Sequence, residues 1–310
     1  MKAMRFHSHG GTEVLALETA EEPTAGPGHV VIKVAGTSFN LLDAAIRAGF
    51  MRDIMPVALP HTPGIDVAGT ITAIGEGVTG WRTGDPVIAF LPPTAPGAAA
   101  EYVAAPAAVL TAAPATVPLA DAAALPTVGL TARQALFEHL ELRAGQRLLI
   151  NGAGGGVGGY AVQLAKKVGA DVTATASPRS AERVHSYGAD RVLDYTAEPV
   201  IDALAGERFD AVLQLVRSSP EETAELSTLT ADHGVFTSTA TPGPADIGRG
   251  VRIEQVEVRN DAARLADLVA LVDAGDLQID VAERLPLADL AAVHDRALTN
   301  RLLGKTVLMI

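Results

Sequence analysis

Apolar and polar positions follow two different periods along this chain, and the change of period divides it. Over the first hundred residues the apolar runs are short, at 2–6, 14–17, 30–35, 67–74, 86–90 and 101–104. Turn signals separate them, among them Gly10-Gly11, Gly26-Pro27-Gly28, Gly75-Glu76-Gly77 and Gly84-Asp85-Pro86. Short runs at this spacing predict a compact all-β barrel with few helices. One helix is expected after Asn40, where Asp43 and Arg47 lie four apart on one face.

From Arg147 onward the period alternates between strand and helix. Residues 147–151 are an apolar run that ends at a cluster of glycines; beyond it Val157, Ala161, Leu164, Ala165 and Val168 recur at helical spacing, with Lys166 and Lys167 on the polar face. Gly169 closes that helix, and 171–176 alternates Val and Thr as a strand does. Further strands are expected at 191–194, 211–216, 234–239 and 251–258, with Pro178 and Pro220 in first-turn helix positions. Such alternation predicts a doubly wound parallel sheet, so the fold class is α/β.

The Ala/Pro-rich stretch 95–126 reads as the end of the barrel followed by a crossover, with helix formers at 119–125 and 127–139 divided by Pro126. After Asn260 a helix carries Leu265, Leu268, Val269 and Val272 on one face; a second helix at 287–298 and a strand at 305–310 follow. These exceed a five-to-six-strand sheet and are expected to return to the first domain. The expected domains are therefore 1–118 with 261–310, and 119–260.

Composition narrows the function. A length of 310 residues favours two domains, and 48% hydrophobic with 19% charged residues is globular rather than disordered. The absence of cysteine removes disulfides, Cys-ligated zinc and thiol catalysis together. A net charge of −12 with scattered Lys and Arg disfavours nucleic acid and anionic membranes as partners. Every candidate membrane span is interrupted by Pro or charge, and the opening MKAMRFHSHGG lacks the apolar core of a signal peptide. A cytoplasmic location is expected.

The strand, glycine turn and helix at 147–168 form the unit that brings bare backbone against a pyrophosphate: glycines turn tightly, and the helix points free N–H groups at the anion. Two registers fit, Gly154-x-Gly156-x-x-Gly159 and Gly152-x-x-Gly155-x-x-Gly158, so Gly152, Gly154, Gly155, Gly156, Val157 and Gly158 are the expected dinucleotide contacts. The second strand ends TASPRSAER, with Ser177, Arg179 and Ser180 and no acid before Glu182. A hydroxyl and a guanidinium suit a 2′-phosphate, which favours NADPH over NADH. No tyrosine has lysine four residues on, so the Tyr-x-x-x-Lys pair of short-chain dehydrogenases is absent.

The stretch GQRLLINGAGGGVGGYAVQLAK, together with SFNLLDAAIRAG, LPHTPGIDVAGTITAIGEGVTGWRTGDPV, AAAEYV, AAALPTVGLTARQAL and GKTVL, resembles the quinone oxidoreductase (zeta-crystallin-like) branch of the medium-chain dehydrogenase/reductases along nearly the whole chain. The resemblance implies a GroES-like catalytic barrel, a Rossmann domain, and NADPH-dependent reduction of quinones or α,β-unsaturated carbonyls. It sets Asn40 where zinc-dependent relatives place a cysteine ligand, and Ile65-Asp66 where they place a His-Glu pair, so no catalytic metal is expected. It sets Thr131, with Thr127 in the same stretch, near the nicotinamide, and Tyr195 beside the adenosine phosphate. Two departures stand out: Ala45 where the family often carries Tyr or Lys, and AVLQLVRSS where an acidic-ended DxV strand is usual.

The candidate catalytic residues are Asn40, Asp43 and Tyr102. Asn40 would hold the nicotinamide or donate to a developing oxyanion, the alternative being a buried amide capping the next helix. Asp43 is expected to orient Arg47 or a backbone turn. Tyr102 is a candidate proton donor, with ring packing as the alternative; His61 reads as structural. The small-molecule partner is a quinone or enone. A stand-alone enoyl reductase and a non-catalytic NADPH-binding protein remain open. The alternation over 251–258, last in the expected sheet, predicts an edge that pairs in a homodimer.

Overall fold

The computed structural model describes residues 1–299, 301, 302 and 304–310. In chain order its elements are β1 (Lys2–Phe6), β2 (Leu15–Thr19), β3 (His29–Ser38), α1 (Leu41–Ala48), β4 (Asp66–Ile74), β5 (Pro86–Phe90), β6 (Tyr102–Pro106), β7 (Thr111–Ala112) and α2 (Pro126–Gln134). There follow β8 (Arg147–Asn151), α3 (Gly156–Val168), β9 (Asp171–Ala176), α4 (Pro178–Ser186), β10 (Arg191–Asp194), α5 (Val200–Ala203), β11 (Phe209–Gln214), α6 (Pro220–Ser227), β12 (Thr230–Ser238) and β13 (Arg252–Gln255). The chain ends with α7 (Ala262–Asp273), β14 (Glu283–Pro286), α8 (Leu290–Leu298) and β15 (Thr306–Met309).

The chain divides into two compact units, 1–127 with 260–310, and 128–259. The first is built on β3, a ten-residue strand that pairs antiparallel with β4, β6 and β15. Its core is β-branched and apolar: Val30, Ile32, Val34, Val67, Ile71, Val87 and Val103 are all buried. Gly69 is required at one crossing, because a Cβ there would lie 2.3 Å from the Lys33 carbonyl. A second apolar cluster joins Met4 and Phe39 to Leu287, Leu290, Val293 and Leu308, which returns the end of the chain to this unit. The segment 119–127 also lies in it, not in the second unit as expected. The reason is that Thr127 donates from both its N–H (2.8 Å) and its hydroxyl (2.7 Å) to the buried Asp66.

The second unit is a six-stranded parallel sheet in the order β10-β9-β8-β11-β12-β13, the doubly wound arrangement with its switch point between β8 and β11. Leu149, Phe209, Val212, Leu226 and Phe236 fill one side of it. The edge strand is shorter than the alternation over 251–258 predicts, covering 252–255 only. Among the described residues no helix is long and apolar enough to cross a membrane.

Candidate functional site

The candidate site residues fall into two groups, one in each unit. In the first unit, β3 runs directly into α1, and Asn40 stands at the junction as N-cap with extended backbone. Its side chain does not cap the helix. The amide nitrogen donates to Asp66 Oδ2 at 2.8 Å and to the Ser38 carbonyl at 3.3 Å, while Oδ1 accepts from Lys305 Nζ at 2.6 Å. Lys305 Nζ also donates to the Phe39 carbonyl (2.9 Å) and to Asp66 Oδ2 (3.3 Å). Asp66 Oδ2 accepts from the Ser38 hydroxyl at 2.6 Å. Asn40, Asp66 and Lys305 are all buried. Burial pulls the Lys305 ammonium below its usual range, and the Asp66 carboxylate opposes that pull.

This geometry corrects the expectation for Asn40. An amide has two N–H donors, and Ser38 and Asp66 take both, so Asn40 has no donor left for a substrate oxygen. For Asp43 the second of the two expected roles holds, a bond to a backbone turn and not to Arg47, whose guanidinium donates to the Gly10 carbonyl at 2.8 Å. Asp43 Oδ1 instead accepts from Gly64 N–H at 2.8 Å, two residues before Asp66, and Oδ2 is buried without a partner. Burial is the main reason its carboxyl is pushed up to about 7, with the Asp66 charge adding to the effect. His294 of α8 faces the same small cavity as Asp43, packs edge-on against Phe39 at 4.9 Å, and has both ring nitrogens buried and unpartnered. Burial holds it down at about 3, and His61, edge-on to Phe6, at about 4.

Tyr102 is not brought to this cluster. It pairs with Lys33 on β3, five residues from Ser38 and so about 17 Å along the strand. There it lines a surface groove with Glu22, Pro23 and Thr72.

In the second unit the glycine turn follows β8. Gly155 caps α3 with no side-chain bond to the helix, which leaves the first N–H groups, those of Gly156, Val157 and Gly158, facing outward as donors. Gly158 must be glycine, since a Cβ would lie 2.4 Å from Ala153 Cα, whereas a Cβ at Gly155 would meet nothing closer than 3.5 Å. The turn is braced by a polar ladder across the ends of three strands. Gly152 N–H donates to Thr175 Oγ1 (2.9 Å), Thr175 to Asn151 (2.7 Å), and Asn151 to Gln214 (2.9 Å). Gln214 is the residue that interrupts the usual acidic strand end. A bare turn with an uncapped helix end fits a dinucleotide pyrophosphate.

Beyond β9, Ser177 stands at the N-cap position of α4 without a side-chain bond to the helix, Ser177 and Ser180 are buried, and Arg179 is exposed. The parallel register pairs Asp194 with Ala176, so the exposed Tyr195 emerges beside Ser177. Thr131 is buried on α2, and Thr127 is spent on Asp66. Asp66, Lys305, Asn151, Gln214 and Arg183 were not singled out as site residues from sequence. Only the polar strand ends N-G and Q-L-V hinted at the ladder.

The chain thus combines a GroES-like barrel unit and a doubly wound unit of nucleotide-binding type. The alcohol dehydrogenase GroES-like domain family matches residues 26–115, and the zinc-binding dehydrogenase family matches residues 187–308. The chain is 33% identical over 253 residues to a chloroplastic quinone-oxidoreductase of Triphysaria versicolor, covering 79% of this chain and 76% of that one. It is 36% identical over 200 residues to an NADPH-dependent alkenal/one oxidoreductase of Arabidopsis thaliana, covering 61% and 51%. Among solved structures, the quinone oxidoreductase from Coxiella burnetii superposes with a TM-score of 0.91 at 28% identity over 100% of this chain and 99% of that one. An NAD-dependent alcohol dehydrogenase gives 0.90 at 28% identity, with 100% of both chains covered. A mycobacterial protein complexed with NADPH gives 0.87 at 27%, again with 100% of both covered. The chain belongs to the quinone oxidoreductase branch of the medium-chain dehydrogenase/reductase superfamily.

The zinc implied by one family description does not fit these residues. Where zinc relatives would supply ligands, Asn40 and Asp66 already enclose the Lys305 ammonium. Among the described residues no group of three or more His, Cys, Asp or Glu could hold a metal ion.

Proposed function

We propose that this oxidoreductase uses NADPH to reduce a quinone or an α,β-unsaturated carbonyl without a metal. The observation that carries the reading is the Lys305 ammonium lodged between Asn40 and Asp66. Alcohol oxidation in this superfamily relies on a metal to lower the hydroxyl pKa, whereas a conjugated acceptor is already electrophilic and needs no such help. The quinone and alkenal/one oxidoreductases among its relatives support the same substrate classes.

Bound NADPH supplies the hydride. The N–H groups of Gly156, Val157 and Gly158 would hold the pyrophosphate, and Ser177, Arg179, Ser180 and Tyr195 would receive the 2′-phosphate. By the family resemblance Thr131 would contact the nicotinamide. Asn40 acts as a rigid brace: through Lys305 and Asp66 it fixes the backbone at 38–40. Its amide is not an oxyanion donor, and solvent supplies the final proton. A panel of quinones, enones, acyl thioesters and aliphatic alcohols with NADPH and NADH tests the reading. Turnover of quinones or enones is expected with NADPH preferred. Turnover confined to acyl thioesters would point to an enoyl reductase, and no oxidation of NADPH by any acceptor to a non-catalytic protein.

A further inference from the structure

The glycine turn and the start of α4 are packed as one piece. A Cβ at Gly154 would fall 2.3 Å from Ser180 Oγ, so the first turn of α4 presses on the bare backbone of the pyrophosphate turn. One turn later, half-buried Arg183 donates from Nη2 to the Gly154 carbonyl at 2.9 Å. The N–H of the same peptide, that of Gly155, donates to the Gly152 carbonyl at 3.2 Å. The peptide between Gly154 and Gly155 is thus clamped at both ends, and Gly155 is the residue whose backbone aims the first N–H groups of α3. Without the clamp, that carbonyl is free to swing toward the phosphate and repel it. Arg179 lies four residues before Arg183 on the same helical face. One helix therefore carries both the guanidinium that holds the glycine turn and the exposed guanidinium of Arg179.

We propose that Arg183 is a positioning residue that sets the pyrophosphate turn, and that through α4 it couples this turn to the 2′-phosphate contacts of Ser177, Arg179 and Ser180. The division of labour with Arg179 rests on the NADPH reading above. Arg183 acts on every dinucleotide, and Arg179 only on those bearing a 2′-phosphate.

Calorimetric titration of the intact protein with NADPH, NADH and ADP-ribose tests this. Arg183→Ala is expected to weaken all three by about 10-fold, the loss of one charge-assisted hydrogen bond that aligns the turn. Arg183→Lys, which keeps a charged donor, should recover most of the loss, and kcat at saturating NADPH should hold while KM rises. The effect of Arg179→Ala on NADPH should shrink in the Arg183→Ala background, because the two ends are coupled. Loss confined to NADPH would overturn the proposal and make Arg183 a second 2′-phosphate contact. Unchanged ADP-ribose binding in a folded Arg183→Ala protein would overturn it as well. Equal wild-type affinity for NADH and NADPH, with the uniform loss in Arg183→Ala intact, would sink the NADPH reading and support this one.

Discussion

The two polar regions of this protein are opposites. In the barrel unit, Asn40, Asp66, Lys305, Ser38 and Thr127 form a buried knot in which the amide spends its donors on Asp66 and the backbone, and the ammonium spends its own on Asp66, the Asn40 oxygen and the backbone. In the doubly wound unit, the glycine turn keeps its first helical N–H groups uncapped, and Arg179, just after β9, reaches the surface. The contrast separates structure from binding. A saturated network holds shape and offers nothing to a ligand, while an unsaturated backbone edge is where a ligand's charge is answered. Asn40 lies in the saturated region, with both amide donors taken by Ser38 and Asp66.

Breaking the knot should give the largest effect. Lys305→Met leaves the Asp66 carboxylate buried without its counter-charge, and unfolding in urea should show a loss on the order of 3–5 kcal/mol. A loss below about 1 kcal/mol would mean that the pair is not a stabilising unit. Next comes the cofactor edge. Arg179→Ala removes a charge-assisted bond of roughly 1.5–3 kcal/mol, so NADPH should weaken by about 10- to 150-fold with NADH nearly unchanged. Equal losses for both cofactors would remove Arg179 from the 2′-phosphate.

Acidity probes the cavity between Asp43 and His294. The folded protein excludes protons from His61 and His294 that the unfolded chain accepts below about 6.5, so their contribution to stability is lost as pH falls toward 4 and 3. Asp43 works the other way: it keeps its proton up to about 7, so stability is lost as pH rises from about 4 to 7. Two opposing one leaves stability rising by about 1 kcal/mol per pH unit between pH 5 and 6. His294→Leu should flatten that rise and Asp43→Asn should steepen it; parallel profiles for both variants would contradict the assignment. The smallest test concerns the free edge of β13. If copies pair along it, sedimentation at micromolar concentration gives a dimer, and a monomer alone refutes the pairing.

Much of the fold was legible because periodicity is local. The runs at 147–151, 171–176 and 191–194 match the strands residue for residue, since each is bounded by its own glycine, proline or charge. Strand β14 was missed, because Glu283-Arg284-Leu285-Pro286 carries charges and a proline and forms only as an edge beside β15. The alternation at 251–258 overstated β13: Val256 is buried but lies past the strand's end. The knot was illegible for a different reason. Lys305 sits 265 residues from Asn40, and a lysine opening a terminal strand reads as solvated until the fold closes around it. Gln214 was visible only as a departure from a pattern, and its bond to Asn151 explains it.

The central claim, metal-free hydride transfer from NADPH to a conjugated acceptor, is tested most directly with 4-deuterated NADPH, each face labelled in turn, and a simple enone in the presence of a chelator. The account predicts full turnover, with deuterium from one face at the β-carbon of the product and the new α-hydrogen drawn from solvent. Activity abolished by the chelator, or label absent from the β-carbon while NADPH is consumed, would contradict it.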